Sequence, residues 1–206
     1  RSVYSGFDGY RNINSDTGKL ISETVDVRTN ASNNIGDSVS ASVVPDREAI
    51  SSNFTIYRAS DGSGNIVIPP GDYSFTQGAA GISFAGRRRV SGGLSVVVGD
   101  YFGGDRFQRR ANINWQPSNR YNMSLSYTEN EIHLPQGNFT VRQSTISSLI
   151  NFHPNLSWAN RIQYDNVSEG LGINSRLRWI PEAGGEAFLV LNWGLVDLDK
   201  DNNFDS

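Results

Sequence analysis

The chain has no cysteine, and only one methionine and two histidines, in 206 residues. The lack of cysteine excludes disulfide scaffolds, Cys-ligated zinc and thiol catalysis. It also fits a protein that crosses an oxidising periplasm. No stretch approaches the ~18 consecutive apolar residues of a membrane-spanning helix. Charge is scarce as well. Charged residues make up 19% and hydrophobic residues 37% of the chain, and the net charge is −3. A balance this far from basic argues against a general nucleic-acid binder. Ser, Asn, Gly, Thr and Gln fill the place of the missing apolar and charged groups. The 11% aromatic content separates the chain from disordered sequences, which are poor in aromatics and rich in charge. No signal peptide precedes Arg1, so the chain reads as a processed form or an excerpt.

Alternation with period two is the dominant pattern, and turn residues punctuate it regularly. From Gly170 to Trp179, Leu171, Ile173, Ser175, Leu177 and Trp179 share one face, and Gly172, Asn174, Arg176 and Arg178 share the other. Tyr121, Met123, Leu125 and Tyr127 oppose Asn122, Ser124, Ser126 and Thr128. Phe107, Ala111, Ile113 and Trp115 oppose Gln108, Arg110, Asn112 and Asn114, with Arg109 a polar exception on the apolar side. Leu156, Trp158, Ile162 and Tyr164 oppose Ser157, Ala159, Arg161, Gln163 and Asp165, with Asn160 the matching exception. Buried parallel strands read as continuous apolar runs, so these one-sided strands belong to an antiparallel sheet. About ten strands are predicted, near 19–29, 37–44, 72–84, 90–101, 106–116, 121–130, 140–152, 156–166, 171–180 and 186–196. The first three are weakly patterned, and the faces of 72–84 and 186–196 are ambiguous. A long loop near 45–71 is predicted between two of the strands, with room for a short hairpin of Phe54 to Tyr57 against Ile66 to Ile68.

Most of these segments have the ~9–11 residues of a tilted membrane-spanning strand. Short turns at Gln116–Asn119, His153–Asn155 and Pro181–Gly185 each follow an aromatic closely: Trp115, Phe152 and Trp179. Phe84, just before Gly86 and Arg87, is a fourth. Aromatics at matching strand ends suit an interfacial girdle, where one end of the ring is apolar and the other wet. The alternate connections, including 129–138, are predicted to be longer and polar. Short turns at one end and long loops at the other is the layout of an outer-membrane barrel. A soluble β-sandwich or jelly roll is the competing account, since it also alternates.

Three segments resemble the C-terminal barrel region of a bacterial family of unknown function. They are Ile68-Pro69-Pro70-Gly71-Asp72-Tyr73-Ser74-Phe75, Leu134-Pro135-Gln136-Gly137-Asn138-Phe139, and Ile162-Gln163-Tyr164-Asp165-Asn166 with Asn174-Ser175-Arg176-Leu177-Arg178-Trp179-Ile180 and Phe188-Leu189-Val190. The Tyr101-Phe102-Gly103-Gly104-Asp105 stretch matches in spacing, and the resemblance covers roughly residues 40–196. Full-length members of that family join an N-terminal module similar to the family 9 carbohydrate-binding modules to a large outer-membrane barrel. The resemblance therefore implies an outer-membrane location, and a sugar connection only through a module absent from this chain. Barrels of this type close on a strand ending in an aromatic, whereas this chain ends in Asn203-Phe204-Asp205-Ser206, read as a loop. A segment lacking at least the closing strand is expected.

Four arginines fall on the polar faces: Arg110, Arg161, Arg176 and Arg178. Guanidiniums in a lumen can attract anions or hydrogen-bond sugar hydroxyls. The plainer account is that they pair with groups such as Asp165 to satisfy a polar interior. Asp197, Asp199 and Asp201 alternate in the tail and could present oxygens to calcium. The EF-hand pattern wants Gly sixth and Glu twelfth, and Asn202 stands sixth, so a solvated acidic loop competes. Arg87-Arg88-Arg89 is either a headgroup contact or an ordinary solvated turn. His133 and His153 fall on different connections, and no nucleophile motif accompanies them, so no catalytic residue is assigned.

The expected fold is all-β, an antiparallel up-and-down transmembrane β-barrel with about ten strands of a larger barrel in this single-domain segment. The expected function is a pore, docking platform or scaffold in the outer membrane of a Gram-negative bacterium, linked to carbohydrate binding or uptake through the resemblance. Outer-membrane lipid, and carbohydrate or another envelope protein, are the expected partners, with no nucleic acid. Calcium is the one cofactor in question. A soluble β-sandwich binding module and a barrel-borne hydrolase are the alternatives.

Overall fold

A computed structural model of the protein describes residues 1–59 and 64–196. Its elements are β1 (Ser2–Ile13), β2 (Leu20–Ser32), β3 (Ser38–Ile50), β4 (Phe54–Arg58), β5 (Asn65–Ile68), β6 (Gly71–Phe84), β7 (Val90–Tyr101), β8 (Gly104–Ser118), β9 (Tyr121–Leu134), β10 (Gly137–His153), β11 (Leu156–Asp165), β12 (Gly170–Trp179) and β13 (Ala187–Val196). Eleven of them form one up-and-down sheet in the order β1-β2-β3-β6-β7-β8-β9-β10-β11-β12-β13, and β4 pairs with β5 in a separate hairpin. The pairing is antiparallel, as with β3 and β6 or β11 and β12. The sheet is open, with β1 and β13 at its edges among the described residues.

The strand count exceeds the expected ten by one in the sheet. The added strand is β1, whose Gly6, Gly9, Asp8, Arg11 and Asn12 hide its alternation. The connection expected as a long loop at 129–138 is mostly strand. β9 runs on to Leu134 and β10 starts at Gly137, leaving a tight turn at Pro135-Gln136. Polar residues alternating with Ile132 and Leu134 can extend a strand into water, which composition alone does not distinguish from a loop. Residues 45–50, also expected in a loop, continue β3, and the rest of that connection holds the short β4–β5 hairpin.

The chain forms two compact units. One comprises residues 1–84, 94–110 and 129–140, and the other residues 85–93, 111–128 and 141 onward. In the first, register stacks like on like. Val3, Ala31, Val39 and Ile82 form one row of facing residues, and Phe7, Val27, Val43 and Gly78 form another. Arg11, Glu23 and Arg47 make a charged row on that same face, with Arg11 and Arg47 each 3.9 Å from Glu23. The opposite face carries Ser2 against Ser32 and Ser38 against Ser83, each pair hydrogen-bonded at 2.7 Å. Asp8 and Asp26 face each other there, and Arg28 holds both carboxylates together.

In the second unit, Leu156, Trp179 and Ala187 share a row, followed by Trp158, Leu177 and Leu189, then Asn160, Ser175 and Leu191, then Ile162, Ile173 and Trp193, then Tyr164, Leu171 and Leu195. The intervening rows carry the polar and small residues, with Phe188 and Val190 among them: Ser157, Arg178 and Phe188, then Ala159, Arg176 and Val190, then Arg161, Asn174 and Asn192, then Gln163, Gly172 and Gly194. This register settles the faces of β13, which its own sequence leaves ambiguous. Leu189, Leu191 and Trp193 join the apolar face, while Phe188, Val190 and Asn192 join the polar one.

Buried apolar side chains are few among the described residues and do not lie along the apolar face. Phe75, Phe102, Ile132, Leu134, Phe139 and Ile68 are the main ones, all in the first unit, where the hairpin meets the sheet. Tyr57 of β4 stacks on Phe139 at 4.6 Å, and Phe102 packs against Tyr73, Phe75 and Tyr101 at 4.8–5.3 Å. The turn that carries Phe102 has φ of 45° there and 80° at Gly103, both in the left-handed region that a two-residue hairpin turn of the primed type needs.

Gly92, Gly99 and Gly104 sit where neighbouring backbones come close. A Cβ at Gly104 would lie 1.9 Å from the His133 carbonyl oxygen, and one at Gly99 2.2 Å from that of Thr76. Gly104→Ala is therefore expected to destabilise the fold by about 1–3 kcal/mol through overpacking. Gly86→Ala, whose Cβ meets nothing within 4 Å, should be near neutral. Urea midpoints of the two folded variants check this; equal midpoints would show that the close approach at Gly104 is not a constraint.

Candidate functional site

The polar face of the second unit gathers three of the four arginines singled out from the sequence. Register sets Arg161 opposite Asn174, Arg176 opposite Ala159, and Arg178 opposite Ser157, all projecting to one side. Their environments differ. Arg178 pairs with Glu186, the last residue before β13. Arg176 lies over the Phe188 ring, 4.2 Å from its centroid. Arg161 has no hydrogen-bond or ion-pair partner among the described residues, and its direct neighbours are Ser147, Asn174 and, one row on, Gln163. Arg110, on β8 in the first unit, is likewise unpaired among the described residues.

Asp165 is not the counterion for these groups. One of its oxygens accepts from the backbone N–H groups of Val167 (2.8 Å) and Ser168 (3.0 Å), and the other accepts from Gln143 Nε2 at 3.0 Å. The short polar side chain closes the β11–β12 turn by capturing amides two and three residues on. The pairing of an arginine with Asp165 is thus replaced by a turn-forming role.

The two polar exceptions on the apolar face are satisfied locally. Arg109 donates through Nε to Glu129 at 2.8 Å and also binds Glu131. Asn160 sits in a short ladder across three strands: Trp158 Nε1 donates to Ser175 Oγ at 2.8 Å, Ser175 Oγ donates to Asn160 Oδ1 at 2.7 Å, and Asn160 Nδ2 donates to Ser148 Oγ at 3.4 Å. Internal pairing of this kind lets a polar side chain stand on a face that is otherwise apolar, since an unpaired one would cost its full desolvation.

His133 Nδ1 lies 2.9 Å from Asp105 Oδ1, an orienting carboxylate that sequence reasoning misses because the two residues lie on different strands. No hydroxyl bonds the other ring nitrogen among the described residues. The pair is half exposed and reads as a polar clasp between β8 and β9. His153 only receives the Asn155 amide within its own turn, at 3.5 Å. Arg89 supplies its carbonyl to the Gln116 amide at 2.7 Å, so this arginine's backbone braces the turn while its side chain is exposed. Asp197, Asp199 and Asp201 lie outside the described residues.

The residues of the polar face that sequence reasoning misses are Asn192 and Gly194, which the register sets beside Asn174 and Gly172. An ideal Cβ at either Gly172 or Gly194 meets nothing within 4 Å. They floor a recess of about 310 Å³ rimmed by Arg161, Gln163, Asn174 and Asn192. Asn192 takes its place there only through the register of β13, which no local signal announces. No protein-family model, curated protein or solved structure matches the chain.

The ladder makes a non-additive prediction. Ser175→Ala leaves Trp158 Nε1 and Asn160 Oδ1 without partners and should cost about 1–2 kcal/mol. Asn160→Leu combined with Ser175→Ala should cost less than the sum of the single changes. Urea unfolding of the four species of a double-mutant cycle reads the coupling, and strict additivity would dissolve the ladder.

Proposed function

We propose that this chain is a segment of an outer-membrane β-barrel, with its apolar face toward lipid and its polar face lining a water-filled lumen, serving as a pore or docking platform. The observation that carries the reading is the register of the sheet. It brings large apolar side chains to one face of strand after strand, with no second layer over them among the described residues. On interior strands Val43 is 52% exposed and Ile113 51%, values that a soluble sandwich would bring close to zero by packing a second sheet on top.

Dimensions support it. β11, β12 and β13 have 10 residues each. At ~3.4 Å per residue such a strand spans about 31 Å, and a tilt of ~40° reduces that to about 24 Å, the height of an outer-membrane apolar band. Trp115, Tyr121 and Trp179 stand exposed near turns, as girdle residues would. The charged row of Arg11, Glu23 and Arg47 suits the point at which the band gives way to headgroups.

Strand parity adds a requirement. An up-and-down sheet of eleven strands begins and ends on strands running the same way. An all-antiparallel closed barrel therefore needs an odd number of strands beyond these eleven. This agrees with the resemblance to a family of larger barrels, which is also the sole basis for a connection to carbohydrate.

Leu125→Arg and Ser124→Arg differ by one position and fall on opposite faces of β9. The first should impair insertion into bilayers, by up to ~2–4 kcal/mol near the midplane, and the second should have little effect. Folding into lipid vesicles, read by heat-dependent gel mobility, measures both. Equal behaviour of the two variants, or a protein indifferent to detergent, would return the apolar face to a soluble core.

A further inference from the structure

We propose that the recess over Gly172 and Gly194 binds a small polyhydroxylated carboxylate, with Arg161 as its cationic anchor. The site's access to solute rests on the barrel reading above, but its binding chemistry does not.

Charge is the first consideration. Arg161 occupies a row with Asn174 and Asn192, between a row of Gln163, Gly172 and Gly194 and a row of Ala159, Arg176 and Val190. No carboxylate stands in any of the three rows. Asp165 is turned into its own bend, and Glu186 is taken by Arg178. Arg176 lies in the next row, its ring-facing side covered by Phe188. The patch thus holds positive charge that the described residues do not neutralise, over a shallow, open recess.

Shape and donors narrow the ligand. The glycine floor leaves open space where any other residue would place a side chain. A second recess of about 540 Å³ shares Gln163, Gly172 and Gly194 and extends the groove toward Thr145, with Asp165 on its far wall, so the ligand's carboxylate belongs at the Arg161 end and its hydroxyls at the other. Together they admit an extended small molecule better than a compact ion. A planar guanidinium fork matches a planar carboxylate through two parallel hydrogen bonds. Asn174 Nδ2 donates to Asn192 Oδ1, which leaves Asn174 Oδ1 and Asn192 Nδ2 for ligand hydroxyls. Gln163 offers a further amide. One anchoring guanidinium suits a monoanion, whereas a phosphate dianion would remain under-neutralised.

Gluconate, sorbitol and inorganic phosphate separate the possibilities by isothermal titration of the folded protein in detergent at low salt. Gluconate should bind and sorbitol, which has the hydroxyls without the carboxylate, should not. Arg161→Gln should weaken gluconate binding about tenfold or more, the loss expected of a charge-assisted pair. Arg161 has no partner among the described residues, so this change leaves the fold intact. Gly194→Leu keeps every polar group and fills the floor, and should abolish binding. No gluconate binding, unchanged affinity in Arg161→Gln, or phosphate bound more tightly than gluconate would each overturn the proposal. Gluconate binding by a protein that fails to enter vesicles would keep the site and remove the lumen. Vesicle insertion without gluconate binding would do the reverse.

Discussion

Register is the constraint on which the rest of this structure depends. Side chains alternate across a strand, so a slip of one residue would move an entire apolar set to the opposite face. Over β10 to β13 the pairing keeps Ile162 beside Ile146 and Ile173, and Ile173 beside Trp193. The same pairing aligns Arg161 with Ser147, Asn174 and Asn192. Two surfaces of opposite character follow from one hydrogen-bond ladder. Neither exists on a single strand, where each row contributes only one side chain. Where the pairing shifts, at Asn151 to His153, the sequence passes into a turn and there is no face left to preserve.

The hairpin obeys different physics. Its residues are fastened to the polar side by the one dense apolar cluster among the described residues. Ile68 is fully buried, and Tyr73 Oη donates to the Pro69 carbonyl at 2.9 Å, closing the strap where it returns to the sheet. Phe102 shows how strongly that cluster dictates local geometry. A left-handed conformation at a non-glycine residue costs on the order of 1–2 kcal/mol. Burial of a phenylalanine ring contributes about 1.5–3 kcal/mol, enough to hold it there. The turn between β7 and β8 therefore takes its shape from side-chain packing as much as from Gly103.

These two mechanisms explain what can be read from the sequence. The strands with clean alternation, β9, β11 and β12, announce both their existence and their faces. The short hairpin of Phe54 to Tyr57 against Ile66 to Ile68 is also visible, because apolar runs flank a strong turn signal. β1 is not, since Gly, Asp and Asn occupy positions where packing against β2 decides the structure. The ends of β9 and β10 are not, because a strand that extends beyond its apolar stretch looks like a polar loop. Of the candidate site, Arg161, Arg176 and Arg178 follow from parity alone. Which of them is open to a ligand does not, since Glu186 and Phe188 meet their arginines only through β13, a strand whose own alternation is blurred by Phe188 and Val190.

The open state of Arg161 bears on the orientation of the sheet. Removing a guanidinium from water without a counterion is among the costliest steps available to a protein, and its charge cannot be shed because the group stays protonated. Arg161 lies in the middle of β11, away from either turn, so it cannot reach a headgroup layer as a residue at a strand end could. The part of the face around Arg161 must therefore be wet. The opposite face has the inverse property: its one mid-strand polar group on β11, Asn160, is engaged by Ser175 and Ser148. A face that satisfies its polar groups internally tolerates hydrocarbon, and a face that leaves a cation open requires solvent. Within the proposed barrel, that asymmetry alone would orient the sheet between lipid and water, without reference to strand count or closure. It also leaves an open cationic groove where a dissolved anion can reach it.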